Sequence, residues 1–536
     1  MRYRRVYWGR LALLCCTGLL AVGAHANPMG PAQSELDNAA QLPDSWLMTN
    51  RTYDGQRYVL LDQINAANVA GLKPVCTYDT GVQAPAQSTP LLYEGRIYFT
   101  AGQTTVAVDA AKCKEVWRHV WKPKGKTLSL VNRGLAMKDG RVVRGTADGY
   151  LIAIAMASGR LLWKRQITSY EESHYLSMPP MIVDNTIVYG TAGADWGGQG
   201  WIGGFALKDG AELWRYAALP AAGTAEAQTW GGADAIAHGG GSFWTPVSVD
   251  RARNVVFVPT GNPAPDFYGE VRPGDDAGTN SAVALDLKTG KVIWAKQFVP
   301  HDTHDWDLSQ AGPLLRATVH GGVHDLVMVS GKDGRLRGVD RNSGEVLYEL
   351  AISRQENTAA PATATPTHVC PGLLGGQEWS STAYDPQRGL AFAPMVDWCG
   401  TVVHDASPPV HAVGTHFYGG KIEQDPLDQA RGVLAAVDVA AGTLRWKFDA
   451  PAPMLGNVTA TAGGLVFAGD LKGNLYALAA DSGKVLLRLA LPGSAGGGIF
   501  TYALEQRQYL AALSGSVSAF FGGGQDTVKL TVLALP

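Results

Sequence analysis

The chain has 536 residues, with 45 Lys+Arg against 47 Asp+Glu and a formal net charge of −2. With so balanced a charge, nothing points to nucleic acid or to an anionic membrane surface as a partner. Length alone suggests two or three domains, a rule that large all-β architectures break.

Arg2, Arg4, Arg5 and Arg10 precede an apolar stretch from Leu11 to Val22, and Ala24-His25-Ala26 gives a small-x-small cleavage pattern. This predicts an export signal over residues 1–26 and a periplasmic location. The alternatives are a retained N-terminal anchor or a lipid anchor at Cys15 or Cys16, the latter opposed by Leu14 in place of a small residue. No later stretch is long and apolar enough for a transmembrane helix, so no membrane span is expected in the mature chain. Residues 27–45 read as a polar leader and residues 46–536 as one domain.

Glycine contributes 65 of the 536 residues, and the glycines fall in a pattern. A strand ends in Ala-x-Asp, a short turn carries Gly, and a second strand reaches Trp. It occurs as Ala153-Ile-Ala155…Gly159…Trp163, Ala206…Gly210…Trp214, Ala284-Leu-Asp286…Gly290…Trp294 and Ala436-Val-Asp438…Gly442…Trp446. Weaker copies are Ala107-Val-Asp109…Trp117, Gly338-Val-Asp340…Gly344…Tyr348 and Ala477-Leu-Ala479…Gly483…Leu487, and Leu72 to Cys76 is half a copy with Cys in the Trp slot. Each unit is a hairpin of alternating apolar strands, and eight of them predict an all-β, eight-bladed propeller. The Trp is expected to pack between neighbouring blades, and the half copy at Cys76 to complete the last blade. A β-sandwich array is the competing arrangement. Four cysteines lie beyond the signal and allow three pairings. Cys76–Cys113 and Cys370–Cys399 are favoured because each closes a loop of about one blade in an oxidising compartment. No Cys-x-x-Cys-His is present, so no covalent haem is expected.

The repeat is silent on activity, which must come from loops. In Gly261-Asn262-Pro263-Ala264-Pro265-Asp266 an Asn held between Gly and Pro aims its carbonyl rigidly, as a metal ligand requires; an ordinary turn is the plain alternative. Trp244, after Gly239-Gly240-Gly241, offers a flat stacking surface or a core residue. Pro300 to Asp307 holds His301, Asp302, His304, Asp305 and Asp307. Asp305 and Asp307 are two apart, on one side of an extended strand, which suits a shared cation, and one carboxylate can also serve as a general base. Asp195 stands alone among small residues in Thr191 to Gly197. Lys332, in Ser330 to Gly334, is either a partner for an anionic cofactor or a turn residue.

Together, and in this order with Val131-Asn132-Arg133-Gly134, these segments resemble the eight-bladed dehydrogenases that use pyrroloquinoline quinone (PQQ), the family of methanol and membrane glucose dehydrogenases. The resemblance spans residues 45–536. It implies oxidation of an alcohol or sugar-like hydroxyl with PQQ and one metal ion. Trp244 would be the floor beneath PQQ, Arg133 and Ser177 would bind its carboxylates, and Lys332 its quinone oxygens. Asp305 would be the catalytic base, and Asp195, Asn262, Asp305 and Asp307 the metal ligands. Lanthanide-dependent members carry a second Asp two places after the base, so Asp307 implies a lanthanide in preference to calcium. Electrons would pass to a separate acceptor, a soluble cytochrome c.

The chain departs from the family in several places. Asp195 stands where Glu is usual. Thr127 and Leu128 replace the adjacent cysteines that cover PQQ in methanol-type members, Leu455 replaces a Trp, and His304 replaces an aromatic. These changes leave the substrate open and do not argue for methanol. The competing functions are a propeller scaffold of the outer-membrane assembly type and a family member that has lost PQQ.

Overall fold

The architecture comes from a computed structural model that describes Met1 and residues 30–536. Apart from Met1, the expected export signal lies outside the described residues. Strand accounts for 44% of the structure and helix for 6%, so the all-β expectation holds. Eight four-stranded antiparallel units follow one another as meanders, here with strands A to D in order.

Blade 1 is Leu91–Tyr93, Arg96–Ala101, Thr104–Asp109 and Glu115–Val120; blade 2 is Ala136–Lys138, Arg141–Gly145, Tyr150–Ala155 and Leu161–Gln166. Blade 3 is Met181–Val183, Thr186–Gly190, Trp201–Ala206 and Glu212–Ala217; blade 4 is Ser248–Asp250, Val255–Pro259, Ser281–Asp286 and Val292–Gln297. Blade 5 is Leu308–Val319, Gly322–Gly331, Arg335–Asp340 and Val346–Ala351; blade 6 is Ala383–Asp385, Leu390–Asp397, Arg431–Asp438 and Thr443–Ala450. Blade 7 is Thr459–Thr461, Leu465–Gly469, Asn474–Ala479 and Val485–Ala490, with Tyr58–Val59 added in parallel to its first strand. Blade 8 takes Ile499–Leu504, Arg507–Ser514 and Thr527–Ala534 from the C-terminus and Lys73–Gln83 from the N-terminus. The chain therefore closes its own ring, as the half copy at Cys76 predicts.

The repeat explains why blades stay together. Asp at the end of strand C accepts backbone N–H groups of the following turn, as Asp286 does from Lys288 and Thr289. A glycine in the left-handed region then reverses the chain, with φ 69° at Gly290. That glycine also makes room: a Cβ on Gly159, Gly210, Gly290, Gly344 or Gly483 would lie within 3.0 Å of the Trp ring of the preceding blade. The indole N–H groups of Trp117, Trp163, Trp214, Trp294 and Trp446 donate to main-chain carbonyls of the next blade at 2.8–3.2 Å. Covering up to 150–250 Å² of ring surface contributes about 4–6 kcal/mol gross per dock.

The junction between blades 8 and 1 has no such dock. Cys76 occupies the Trp slot, and Cys113, at φ 54°, occupies the Gly slot. The two form a disulfide with Cα atoms 5.8 Å apart. A covalent bond thus ties the N-terminal strand of blade 8 to blade 1, and that strand pairs with the C-terminal strand Thr527–Ala534 to close the ring. The second expected pair, Cys370–Cys399, is also formed.

Two insertions depart from the meander. Thr367–Val369 lies between blades 5 and 6, and Gly400–His404 and Gly420–Gln424 lie within blade 6; the three pair as a small sheet stapled by Cys370–Cys399. Residues 33–45 pack by the helix Gln33–Asp37, whose Leu36 is buried, and Gln33 bonds Tyr53 and Asp184. No helix among the described residues is long and apolar enough to cross a membrane.

Replacing both Cys76 and Cys113 with Ser is expected to lower stability by about 2–4 kcal/mol. Chemical denaturation of the oxidised parent and the double variant measures this as a shift in midpoint.

Candidate active site

In an antiparallel meander the B-to-C and D-to-A connections leave from the same end. Every site residue predicted from sequence sits in one of those two connection types. Arg133 precedes blade 2, Ser177 precedes blade 3, Trp244 precedes blade 4, and Asp305 and Asp307 precede blade 5; Asp195, Asn262 and Lys332 lie between strands B and C of blades 3, 4 and 5. Both insertions leave from this end too, and they form a cap. Cap and blade loops are joined by hydrogen bonds from Phe417 N to Asp195 O (2.7 Å), from Phe267 N to Tyr418 O (2.8 Å) and from Ala362 N to Thr303 Oγ1 (2.9 Å).

The loops enclose a cavity of about 390 Å³ lined by Arg133, Asp195, Trp244, Asp305, Asp307 and Lys332, among others. That size is in the range of small-molecule and cofactor sites. Ser177 and Asn262 are fully buried behind the lining. Arg133 donates to Ser177 Oγ (2.9 Å) and to Trp244 O (3.3 Å). Its guanidinium carbon lies 4.5 Å from the Trp244 ring centroid and 5.5 Å from that of Trp379. Burial lowers the Arg133 pKa to about 10, well above neutrality, so the group stays charged.

The acidic cluster occupies the same cavity. Ligating oxygens of Asp195, Asp266 and Asp305 lie within 4.8 Å of one another. Asp305 adopts φ 59°, a left-handed conformation unusual for a residue with a side chain and common at functional sites. Asp302 shapes this loop by accepting His304 N (2.8 Å) and Trp306 N (2.7 Å). Asn262 Oδ1 has no hydrogen-bond partner among the described residues, although it is buried.

Asp307 faces other partners: its Oδ1 accepts Trp244 Nε1 (2.9 Å) and Asn262 N (3.2 Å), and its Oδ2 meets Lys332 Nζ at 2.7 Å. Lys332 also reaches both Asp305 oxygens at 3.3 Å.

Charge crowding dominates the electrostatics. Burial, opposed by Lys332 and reinforced by Asp307, pushes the Asp195 carboxyl up to about 6. Burial also holds Asp305 well above the carboxylate range, with Lys332 working against it and Asp307, Asp195 and Asp266 adding to it. Burial opposes the charge on Lys332, yet Asp305, Asp307, Glu378 and Asp195 overrule it and raise the pKa.

Sequence reasoning missed three members of the site. In the sequence Asp266 reads only as the end of the Asn262 turn. Glu378 and Trp379 follow Gly375-Gly376, the same small-residue approach that marks Trp244, and both line the cavity. Of the departures, Leu128 lines the cavity, Leu455 is buried in an apolar cluster with Trp244 and Trp379, and His304 stacks on Trp306 and contacts Ala360 O in the cap.

Comparison with known proteins decides the family. The model for the β-propeller domain of glucose/ethanol/alcohol dehydrogenases, PQQ, matches residues 46–353, more than half of the chain and all of the predicted site. The chain belongs to the PQQ-dependent dehydrogenase family. A second model, outer membrane protein assembly factor BamB, matches residues 430–521, which hold blade repeats and none of the predicted site residues.

The quinohemoprotein alcohol dehydrogenase ADH IIB of Pseudomonas putida is 29% identical over 93% of this chain and 78% of its own length. Methanol dehydrogenase [cytochrome c] subunit 1 of Methylobacterium organophilum is 27% identical over 90% of this chain and 86% of its own. The solved europium-containing methanol dehydrogenase superposes with a TM-score of 0.86 at 23% identity, covering 94% of this chain and 100% of that one. The protein is thus a quinoprotein oxidoreductase of CH–OH donors, and the scaffold alternative falls.

Burial pushes the Glu378 carboxyl up to about 7. A carboxyl raised in the folded state stabilises the fold at low pH and loses that contribution as pH climbs through the raised value. Glu378→Gln is therefore expected to flatten the fall in melting temperature of the cofactor-free protein as pH rises from 4.5 to about 7. Thermal unfolding across that range checks it.

Proposed function

We propose that Asp195, Asn262 and Asp305 hold one metal ion, that Arg133, Ser177, Trp244 and Lys332 hold PQQ, and that Asp305 takes the hydroxyl proton of an alcohol. The observations carrying this reading are the Asp195, Asp266 and Asp305 carboxylates within 4.8 Å of one another and the buried, unpartnered Asn262 Oδ1, with Asp195 and Asp305 lining a cavity shared with an indole and two buried cations.

The fit is chemical. The donors are all hard oxygens, which suit calcium or a lanthanide and not a thiol-seeking metal. Two buried cations and the Ser177 hydroxyl match a flat, tricarboxylated cofactor, and the Trp244 face suits its ring. Bound PQQ supplies the hydride acceptor and the metal a Lewis acid.

The remaining roles belong to the chain. Asp305 has a raised proton affinity, as a base requires, and Lys332 holds its carboxylate in place while countering part of the surrounding charge. Asp307 anchors the edge of Trp244 and adds its own charge beside the cation. Asp302 and the cap fix the loop that carries Asp305. Leu128, Leu373, Leu374, Phe520 and Phe521 share the cavity, which supports an alcohol with an apolar body over a sugar. A dye-linked assay over alcohols, aldehydes and sugars tests this, and best turnover of a sugar contradicts it.

The enzyme is proposed to work in the periplasm and to pass electrons to a separate soluble cytochrome c. The N-terminal signal pattern and the two disulfides support the first part. The methanol dehydrogenase relative, whose name carries cytochrome c, supports the second.

Asp305→Asn is expected to cut turnover by about 10²–10⁴-fold while PQQ still binds, read from the absorbance of the bound cofactor beside the assay. A site crowded with carboxylates favours a trivalent ion over a divalent one. Chelation is expected to abolish activity, and lanthanum to restore more of it than calcium. Asp307→Ala should narrow that preference. Equal or better rates with calcium in the parent count against the lanthanide assignment.

A further inference from the structure

Asp266 brings a buried, unpartnered carboxylate to the cluster of Asp195 and Asp305, and we propose that it is a further ligand of the bound cation beside them. This rests on the metal reading above.

Three observations point the same way. Asp266 is 1% exposed, and neither of its carboxylate oxygens has a hydrogen-bond partner among the described residues. Its ligating oxygen lies within 4.8 Å of those of Asp195 and Asp305. The nearby cations are already committed. Arg272 pairs with Asp276 and donates to the main-chain carbonyls of Pro265 (3.0 Å), Asp266 (3.3 Å) and Asp302, so it touches the backbone of Asp266 and not its carboxylate. Lys332 serves Asp305 and Asp307.

A buried carboxylate facing two others with no donor is repulsive on its own account. Around a cation the same arrangement becomes a ligand set. Three carboxylates and the Asn262 carbonyl come from three different loops, and a large hard ion that takes six to eight oxygens accommodates them. Arg272 contributes indirectly as a positioning residue, because its guanidinium ties the Asp266 loop to the Asp302 loop that shapes Asp305.

The test uses terbium as the probe on metal-free, full-length protein. Affinity comes from indole-sensitised luminescence, bound-water number from lifetimes in H₂O and D₂O, and apo stability from thermal unfolding. Asp266→Asn is expected to weaken terbium binding by at least about tenfold and to admit about one more bound water. It should leave the apo melting temperature unchanged or higher, because a repelling charge is removed. Asp266→Ser serves if the Asn variant does not fold.

Unchanged affinity and hydration in a folded variant overturn the proposal, as does a lower apo melting temperature without loss of affinity, which assigns Asp266 to structure. Asp305→Asn separates the two readings. If it weakens terbium binding and Asp266→Asn does not, only the role of Asp266 falls. If the parent protein binds no terbium, the metal site itself falls, and this inference with it.

Discussion

The dock of each Trp against the glycine turn of the next blade is the constraint on which the molecule depends. A blade buries one face only against a neighbour, so no blade is stable alone, and the ring must close for the last face to be covered. The glycine is required twice at each dock, for its left-handed backbone and for the space that the indole fills. At the closing junction the pair is replaced by Cys76 and Cys113, and the carbonyl of Ala110 is met by the Tyr502 hydroxyl at 2.7 Å. The disulfide ties the N-terminal strand of blade 8 to blade 1, 37 residues further along, while the Tyr502–Ala110 bond joins segments separated by most of the chain.

A stiff ring makes the site affordable in conformational terms. The loops that carry Arg133, Asp195, Asn262, Asp305 and Lys332 belong to different blades, and each side chain is held by the frame on which its loop starts and ends. Such a frame can keep like charges together. Asp195, Asp266, Asp305 and Asp307 sit in one buried region with Lys332 as the cation touching two of them. In the metal-free protein this crowding works against the fold. The cost of that repulsion is borne by the blade interfaces.

The cap gives the cavity its individual character. The sheet inserted at blades 5 and 6 brings His416 and Tyr418 to the cavity, and Leu373 and Leu374 join them. His416 packs between Trp196 and Tyr418, with ring centroids 4.4 and 4.5 Å away. Residues this far from the blade repeats follow no periodicity, so the family resemblance carries no information about them.

The repeat was legible in the chain because a propeller writes its contacts locally: Asp, Gly and Trp recur at fixed offsets within each hairpin. Arg133, Trp244, Asn262, Asp305 and Lys332 were legible because each stands at the end of a blade strand in a fixed order, and the pairing of the four cysteines followed from blade-sized spacing. Asp266, Glu378 and Trp379 were not. Their sequence neighbourhoods resemble ordinary turns, and what distinguishes them is burial against residues from other blades. Asp307 was readable as an acid beside the base, but only the fold turned it toward Trp244 and Lys332. By itself the sequence determined the architecture, the family and several of the cavity-lining residues, since those depend on short-range pattern. The tertiary structure decided which carboxylates lie together without donors and which are spoken for by donors, since that depends on loops that meet only after the ring has closed.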